Sequence, residues 1–135
     1  MSRRFAGGGL LALAAMALGG CQSTSGPGEI RLTSADAALP VMERITHAAA
    51  RCWSNEPAFK PYRLAPELDS YTGRPRLLVV PAQSPGSLPL AVIQAQGSPA
   101  TVQAFGPLMN GAAGNRIKAD VERWAGGNTS CGAAA

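Results

Sequence analysis

The sequence is poor in the residues that build common catalytic and metal sites. His47 is its single histidine, and it stands near Glu43 and Arg51 in a stretch with helical periodicity. The sequence therefore has no second histidine to complete a zinc site. The sequence contains neither a G-x-S-x-G nor an S-x-x-K motif. Its glycine-rich stretch at 111–114 lacks the Lys-Ser/Thr ending of a phosphate-binding loop. We therefore predict no catalytic residue, no metal site and no cofactor.

The apolar run near the N-terminus is too short for a permanent membrane span. It covers residues 10–18, and nine residues at about 1.5 Å each fall well short of a hydrocarbon core of about 30 Å. Arg3 and Arg4 precede the run, and Gly19 and Gly20 follow it, which is the order of charge, apolar run and small residues in a secretory signal. The alternative is an ordinary apolar core helix. This order of charge, apolar run and small residues at the N-terminus favours an export signal that covers residues 1–20.

The residues at the end of this signal have a more specific pattern. Leu18, Gly19, Gly20 and Cys21 resemble the lipobox of bacterial lipoproteins. The resemblance implies that Cys21 receives a diacylglycerol, that the signal is removed before it, and that its new amine is acylated. Several acyl chains anchor a protein stably, whereas one binds only marginally. Gln22 stands where an Asp would resemble an inner-membrane retention signal, so we expect an outer-membrane anchor with the protein facing the periplasm.

The cysteine count agrees with an exported protein. Three cysteines leave one unpaired in an oxidising compartment, and lipidation of Cys21 removes the odd one. Cys52 and Cys131 are then free to form a disulfide, which the periplasm permits. Two buried free thiols are the alternative. The glycine-rich surroundings of Cys131 favour the disulfide.

The charge of the mature chain argues against a nucleic-acid partner. Removal of residues 1–20 leaves ten Lys and Arg against eight Asp and Glu, because two of the twelve basic residues are Arg3 and Arg4. The remaining basic residues are spread along the chain rather than clustered. A domain so close to neutral lacks the electrostatic footprint of a nucleic-acid-binding protein.

Residues 22–29 are polar, small and turn-rich, and we place the lipidated cysteine and a flexible tether over residues 21–33. Residues 34–135 are enough for a single domain.

One stripe at helical spacing predicts a helix over residues 40–53; it consists of Val41, Ile45, Ala49 and Cys52. Short β-rich runs around 62–70, 74–81, 90–96 and 100–105 are separated by turns too short for crossover connections, so we expect antiparallel neighbours.

After a loop at 110–114, a second helix is predicted over residues 116–125, where Ile117, Val121 and Trp124 share one stripe and Gly126 with Gly127 ends the helix. The predicted fold is α+β: a helix, a three- to four-stranded antiparallel meander, and a C-terminal helix packed on one face of the sheet. Trp53 and Trp124 are expected between helices and sheet.

Two segments are candidate binding surfaces. The turn at 71–76 contains Tyr71, Arg74 and Arg76, and Tyr and Arg are enriched in binding hot spots. Its alternative role is purely that of a hairpin turn. The segment at 105–111 offers Phe105 and Met109 to a partner, or else plugs the core at one end of the sheet.

Two carboxylates are the remaining chemical candidates. Glu67 and Asp69 lie at i and i+2 of a predicted strand and therefore share a face. Paired carboxylates can catalyse hydrolysis, but on an edge strand they are typical of a solvated surface that discourages aggregation.

The leading hypothesis is a lipid-anchored, non-enzymatic accessory domain that binds an envelope protein or a cell-wall component. The second is a periplasmic inhibitor or ligand-binding module that uses the turn at 71–76. An enzyme ranks last.

Overall fold

Two helices cover one side of a five-stranded antiparallel sheet. The computed structural model describes residues 28–69 and 71–132. Cys21 and the predicted signal lie outside the described residues. Two short 3-10 helices, Pro57–Phe59 and Pro107–Asn110, lie in the connections. The strands and helices in chain order are β1 (Ile30–Ser34), α1 (Ala38–Trp53), β2 (Tyr62–Glu67), β3 (Arg76–Pro81), β4 (Ala91–Gln96), β5 (Ala100–Phe105) and α2 (Ala112–Ala125).

The strand order is β1-β5-β4-β3-β2, and every neighbouring pair is antiparallel. Strands β2 to β5 are consecutive neighbours, which confirms the predicted meander in its four-stranded form. The predicted α+β class and the C-terminal helix against the sheet are confirmed as well.

The fifth strand was not predicted. Strand β1 lies mostly within the stretch assigned to the tether, and it pairs with β5 from Ile30 opposite Ala104 to Ser34 opposite Ala100. The assignment of residues 30–33 to a tether is therefore wrong. Only two apolar residues, Ile30 and Leu32, alternate in this stretch, and its stability comes from pairing with a strand about seventy residues away in the chain.

The sheet buries one face against the helices, and on the other face Val80 is the one buried residue of the described strands. Ile93, Leu77 and Val102 point to the helices and are fully buried among α1 and α2 side chains. Alternate residues point away from the helices, as the period of a strand requires. We call this side the open face; its residues are Arg31, Thr33, Arg63, Ala65, Glu67, Arg76, Leu78, Val80, Val92, Gln94, Gln96, Thr101, Gln103 and Phe105.

Both helices begin earlier than predicted. Helix α1 starts at Ala38 rather than residue 40, and α2 starts at Ala112, inside the predicted loop at 110–114. Neither N-terminus has a side-chain cap; the Ala38 N–H instead donates to the carbonyl of Gly97 across the structure, at 3.0 Å. The usual Ser, Thr, Asp or Asn signal is therefore missing from the sequence. Within the described residues, neither helix is long and apolar enough to cross a membrane.

A buried carboxylate in the middle of α2 joins this helix to the end of α1. Asp120, of which 1 % is exposed, accepts hydrogen bonds from Trp53 Nε1 at 2.7 Å and Arg116 Nε at 2.8 Å. Arg123 pairs with its other oxygen. Because its charged neighbours and the indole N–H satisfy it, Asp120 can remain buried.

The C-terminal tail returns to α1 through a disulfide between Cys52 and Cys131, as the cysteine count predicted. Arg51 donates to the carbonyl of Thr129, and Trp124 Nε1 donates to the carbonyl of Ser130 at 3.0 Å. The bridge therefore adds a covalent link where side chains already hold the tail.

We expect the double variant Cys52→Ala/Cys131→Ala to lose up to about 4 kcal/mol of unfolding free energy, because the bridge closes a loop with a sequence separation of 79. Urea unfolding followed by tryptophan fluorescence measures the loss. Cys21→Ala is the matched control and leaves the transition in place. Equal midpoints for the double variant and the control would show that the bridge adds nothing to stability.

Candidate functional site

The turn at 71–76 stands at the free end of the hairpin formed by β2 and β3. Glu67 and Arg76 are directly opposite each other on these strands, and their side chains form an ion pair. Both side chains remain nearly half exposed, at 45 % and 47 %. The last paired residues of the hairpin thus hold the base of the turn with a solvent-accessible ion pair.

A groove lies along one side of this turn. Its volume is about 460 Å³. Tyr71 is one of its lining residues and has a fully exposed side chain. The groove combines carboxylates, a guanidinium and apolar surface, which suits a polar ligand with an apolar part. Its lining residues are Pro66, Glu67, Leu68, Asp69, Tyr71, Thr72 and Arg76.

A second groove of about 370 Å³ shares Thr72 and Arg76 with the first and extends to Arg74 and Gln94. Arg76 therefore stands between two concave surfaces at the same end of the open face. Tyr71 lines the first groove and Arg74 the second.

The candidate catalytic residues are not brought together. His47 is exposed on α1 and lines none of the grooves described here, while Glu67 and Asp69 both line the groove beside Tyr71. Glu67 is held by Arg76, and Asp69 is exposed.

The second predicted surface divides into two parts. Phe105 is half-buried on the open face at the end of β5, whereas Met109 is 1 % exposed and belongs to the core. Met109 therefore plugs the core, which is the alternative role considered for this segment. The 3-10 helix Pro107–Asn110 turns the Met109 side chain inward. The backbone of Met109 also packs closely on Gly114: a Cβ atom at position 114 would lie 2.3 Å from the Met109 carbonyl oxygen.

An apolar cleft that the sequence analysis missed lies between the end of α1 and edge strand β2. Its volume is about 340 Å³, and Trp53 stacks on Phe59 in its wall with ring centroids 4.6 Å apart. A signal was available, since Trp53, Phe59 and Tyr62 are three of only seven aromatic residues in the chain and lie within ten positions. The full lining is Ala50, Trp53, Ser54, Phe59, Lys60, Tyr62 and Leu64.

Among the described residues, no group of three or more His, Cys, Asp or Glu side chains is placed to hold a metal ion. Comparison with known proteins adds no further assignment: no protein-family model, no curated protein and no solved structure matches this chain. The candidate site is therefore defined by its own geometry alone.

We expect Tyr71→Ala and Arg74→Ala to leave the free energy of unfolding within about 0.5 kcal/mol of the original protein, because both side chains are exposed. Urea midpoints measure this. Met109→Ala is the contrasting variant, with an expected loss of about 2–5 kcal/mol from a buried cavity. A large destabilisation by either turn variant would show that the turn serves the fold rather than a ligand.

Proposed function

We propose that this protein is a lipid-anchored, non-enzymatic accessory protein of the bacterial cell envelope. The observation that carries the proposal is the pairing of Cys52 with Cys131. A disulfide belongs to an oxidising compartment, and it uses the two cysteines that remain once Cys21 is lipidated. The signal at 1–20 and the lipobox ending at Cys21 supply the route to that compartment.

The proposed location is the outer membrane, with the domain facing the periplasm. Gln22 after the lipidated cysteine supports this assignment. The proposed partner is another envelope protein or a cell-wall component, since the domain offers grooves and an exposed turn for binding. The anchor keeps that partner near the membrane surface.

A second candidate function is a periplasmic inhibitor or ligand-binding module that uses the turn at 71–76. It is favoured by the full exposure of Tyr71 beside a groove of about 460 Å³. A large exposed aromatic side chain next to arginines is typical of a binding hot spot. Tyr71 follows edge strand β2, whereas Ile30, where the chain from the anchor enters the fold, belongs to the other edge strand, β1.

The anchor is tested by the intact mass of the protein extracted from bacterial membranes. We expect a chain that starts at Cys21 and carries acyl groups, with Cys52 and Cys131 alkylated only after reduction. The variant Cys21→Ser is the control and should accumulate with its signal and without acyl groups. A native chain of unprocessed, unacylated mass would overturn the lipoprotein assignment.

The turn is tested by crosslinking in intact envelopes followed by capture of the anchored protein. If the turn is the binding surface, Tyr71→Ala and Arg74→Ala lose a crosslinked partner that the original protein retains. Arg51→Ala, an exposed arginine on α1, is the matched control and keeps it. Retention of the same partner by both turn variants would exclude the turn and leave the accessory function to another surface.

A further inference from the structure

The open face combines a polar row and an apolar row that cross the sheet side by side. Strand register places Arg76 opposite Gln94, and Gln94 opposite Gln103, to which it donates a hydrogen bond at 3.2 Å. The complete polar row is Arg31, Gln103, Gln94, Arg76 and Glu67, and the adjacent apolar row is Phe105, Val92, Leu78 and Ala65.

The open face is basic. Its strands carry three arginines, Arg31, Arg63 and Arg76, against one acidic residue, Glu67. The two helices carry the same excess of two positive charges, with five basic residues against three acidic ones, and the described connections carry an excess of acidic residues.

Two arginines of the open face lack the ion pairs that hold Arg44 and Arg116 on the helix side. On the helix side, Arg44 pairs with Asp36, and Arg116 pairs with Glu56 and Asp120. On the open face, Arg31 and Arg63 are exposed and form no ion pair within the described residues. Their charges are therefore available to an anionic surface.

The apolar row gives this face a second property. Phe105, Val92 and Leu78 are only partly buried, although they lie in the middle three strands of the sheet. A flat face with an apolar centre and arginines at its margins fits the boundary between lipid headgroups and acyl chains, where arginine stems lie along apolar surface.

The chain connects this face to the proposed anchor over a short distance. Nine residue steps separate Cys21 from Ile30, a span of at most about 30 Å. Arg31, on the open face, is the next residue. The sheet is itself about 20 Å across, from five strands at about 4.8 Å spacing, so the domain stays within about one and a half sheet widths of the bilayer.

We propose that the open face lies against an anionic membrane surface, with Arg31, Arg63 and Arg76 on the headgroups and both helices turned away from the bilayer. The inference rests on the lipid anchor of the proposed function, which holds the face within reach of the membrane. In this orientation the turn at 71–76 lies at the margin of the contact, and the apolar cleft beside Trp53 faces the aqueous side.

The test uses the mature chain from residue 21 with Cys21→Ser, so that binding by the face is measured without the acyl chains. Co-flotation is compared between vesicles of phosphatidylethanolamine with phosphatidylglycerol and vesicles of phosphatidylcholine. We expect binding to the anionic vesicles alone, and its loss at about 1 M sodium chloride, where the Debye length is about 3 Å. Arg31→Gln and Arg63→Gln should each weaken binding roughly fivefold.

Arg51→Gln is the matched control, because it removes the same charge from an exposed position on the helix side. A change below twofold in this control supports the proposal. An equal loss in all three variants would mean that net charge alone drives binding and would overturn it. So would equal binding to both kinds of vesicle.

A second readout uses the lipidated protein in the same anionic vesicles. Phenylglyoxal should modify Arg31 and Arg63 several-fold more slowly than in phosphatidylcholine vesicles, while Arg51 reacts at an unchanged rate. The failure of the anchor and the failure of the membrane contact can be told apart. A mass without acyl groups counts against the anchor and not against the open face, since flotation of the Cys21→Ser chain measures binding by the open face independently. Loss of a crosslinked envelope protein in Arg31→Gln, with no vesicle preference, would assign the face to an acidic protein partner and overturn the membrane proposal.

Discussion

The carboxylate of Asp120 is the interaction on which the arrangement of the helix layer depends. It receives the indole N–H of Trp53 from the end of α1 and the guanidinium groups of Arg116 and Arg123 from α2. Arg116 also donates to the carbonyl of Gly132, next to the disulfide-bonded Cys131. Removing one partner of a buried pair costs about 3–5 kcal/mol, because the other charge is left without compensation. The end of α1, helix α2 and the tail are therefore held together around one satisfied charge.

A second constraint follows from the size of the domain. Two helices of 16 and 14 residues cover one side of the five-stranded sheet, and the other side carries the outward residues of every strand. Both helices carry more basic than acidic residues, and the open face combines exposed arginines with a partly buried apolar row. The one-sided architecture thus leaves a basic, partly apolar surface on the side of the sheet away from the helices. The proposed membrane contact uses that surface.

The grooves show which parts of a site are local and which are not. Tyr71, Arg74 and Arg76 lie within six positions, so a hairpin turn brings them together whatever the rest of the fold does. The apolar cleft joins Ala50 of α1 to Leu64 of β2, and it exists because β2 is an edge strand that α1 leaves partly uncovered. The burial of Met109 also depends on the tertiary structure. Its segment is rich in glycine and proline and is compatible with exposure, and the 3-10 helix that precedes α2 turns the Met109 side chain into the core.

The sequence by itself determined the elements whose signal is local. The stripe of Val41, Ile45 and Cys52 predicts α1, short turns predict the meander, and the odd cysteine count predicts the bridge that the structure contains. The tertiary structure decided what depends on distant partners. Strand β1 exists because β5 offers an edge, α1 starts at Ala38 because Gly97 accepts its N–H, and the unpaired arginines share one face because strand register aligns them. Periodicity and turn chemistry act over a few residues, whereas register, capping by distant carbonyls and the grouping of arginines on one face arise only when the chain has folded.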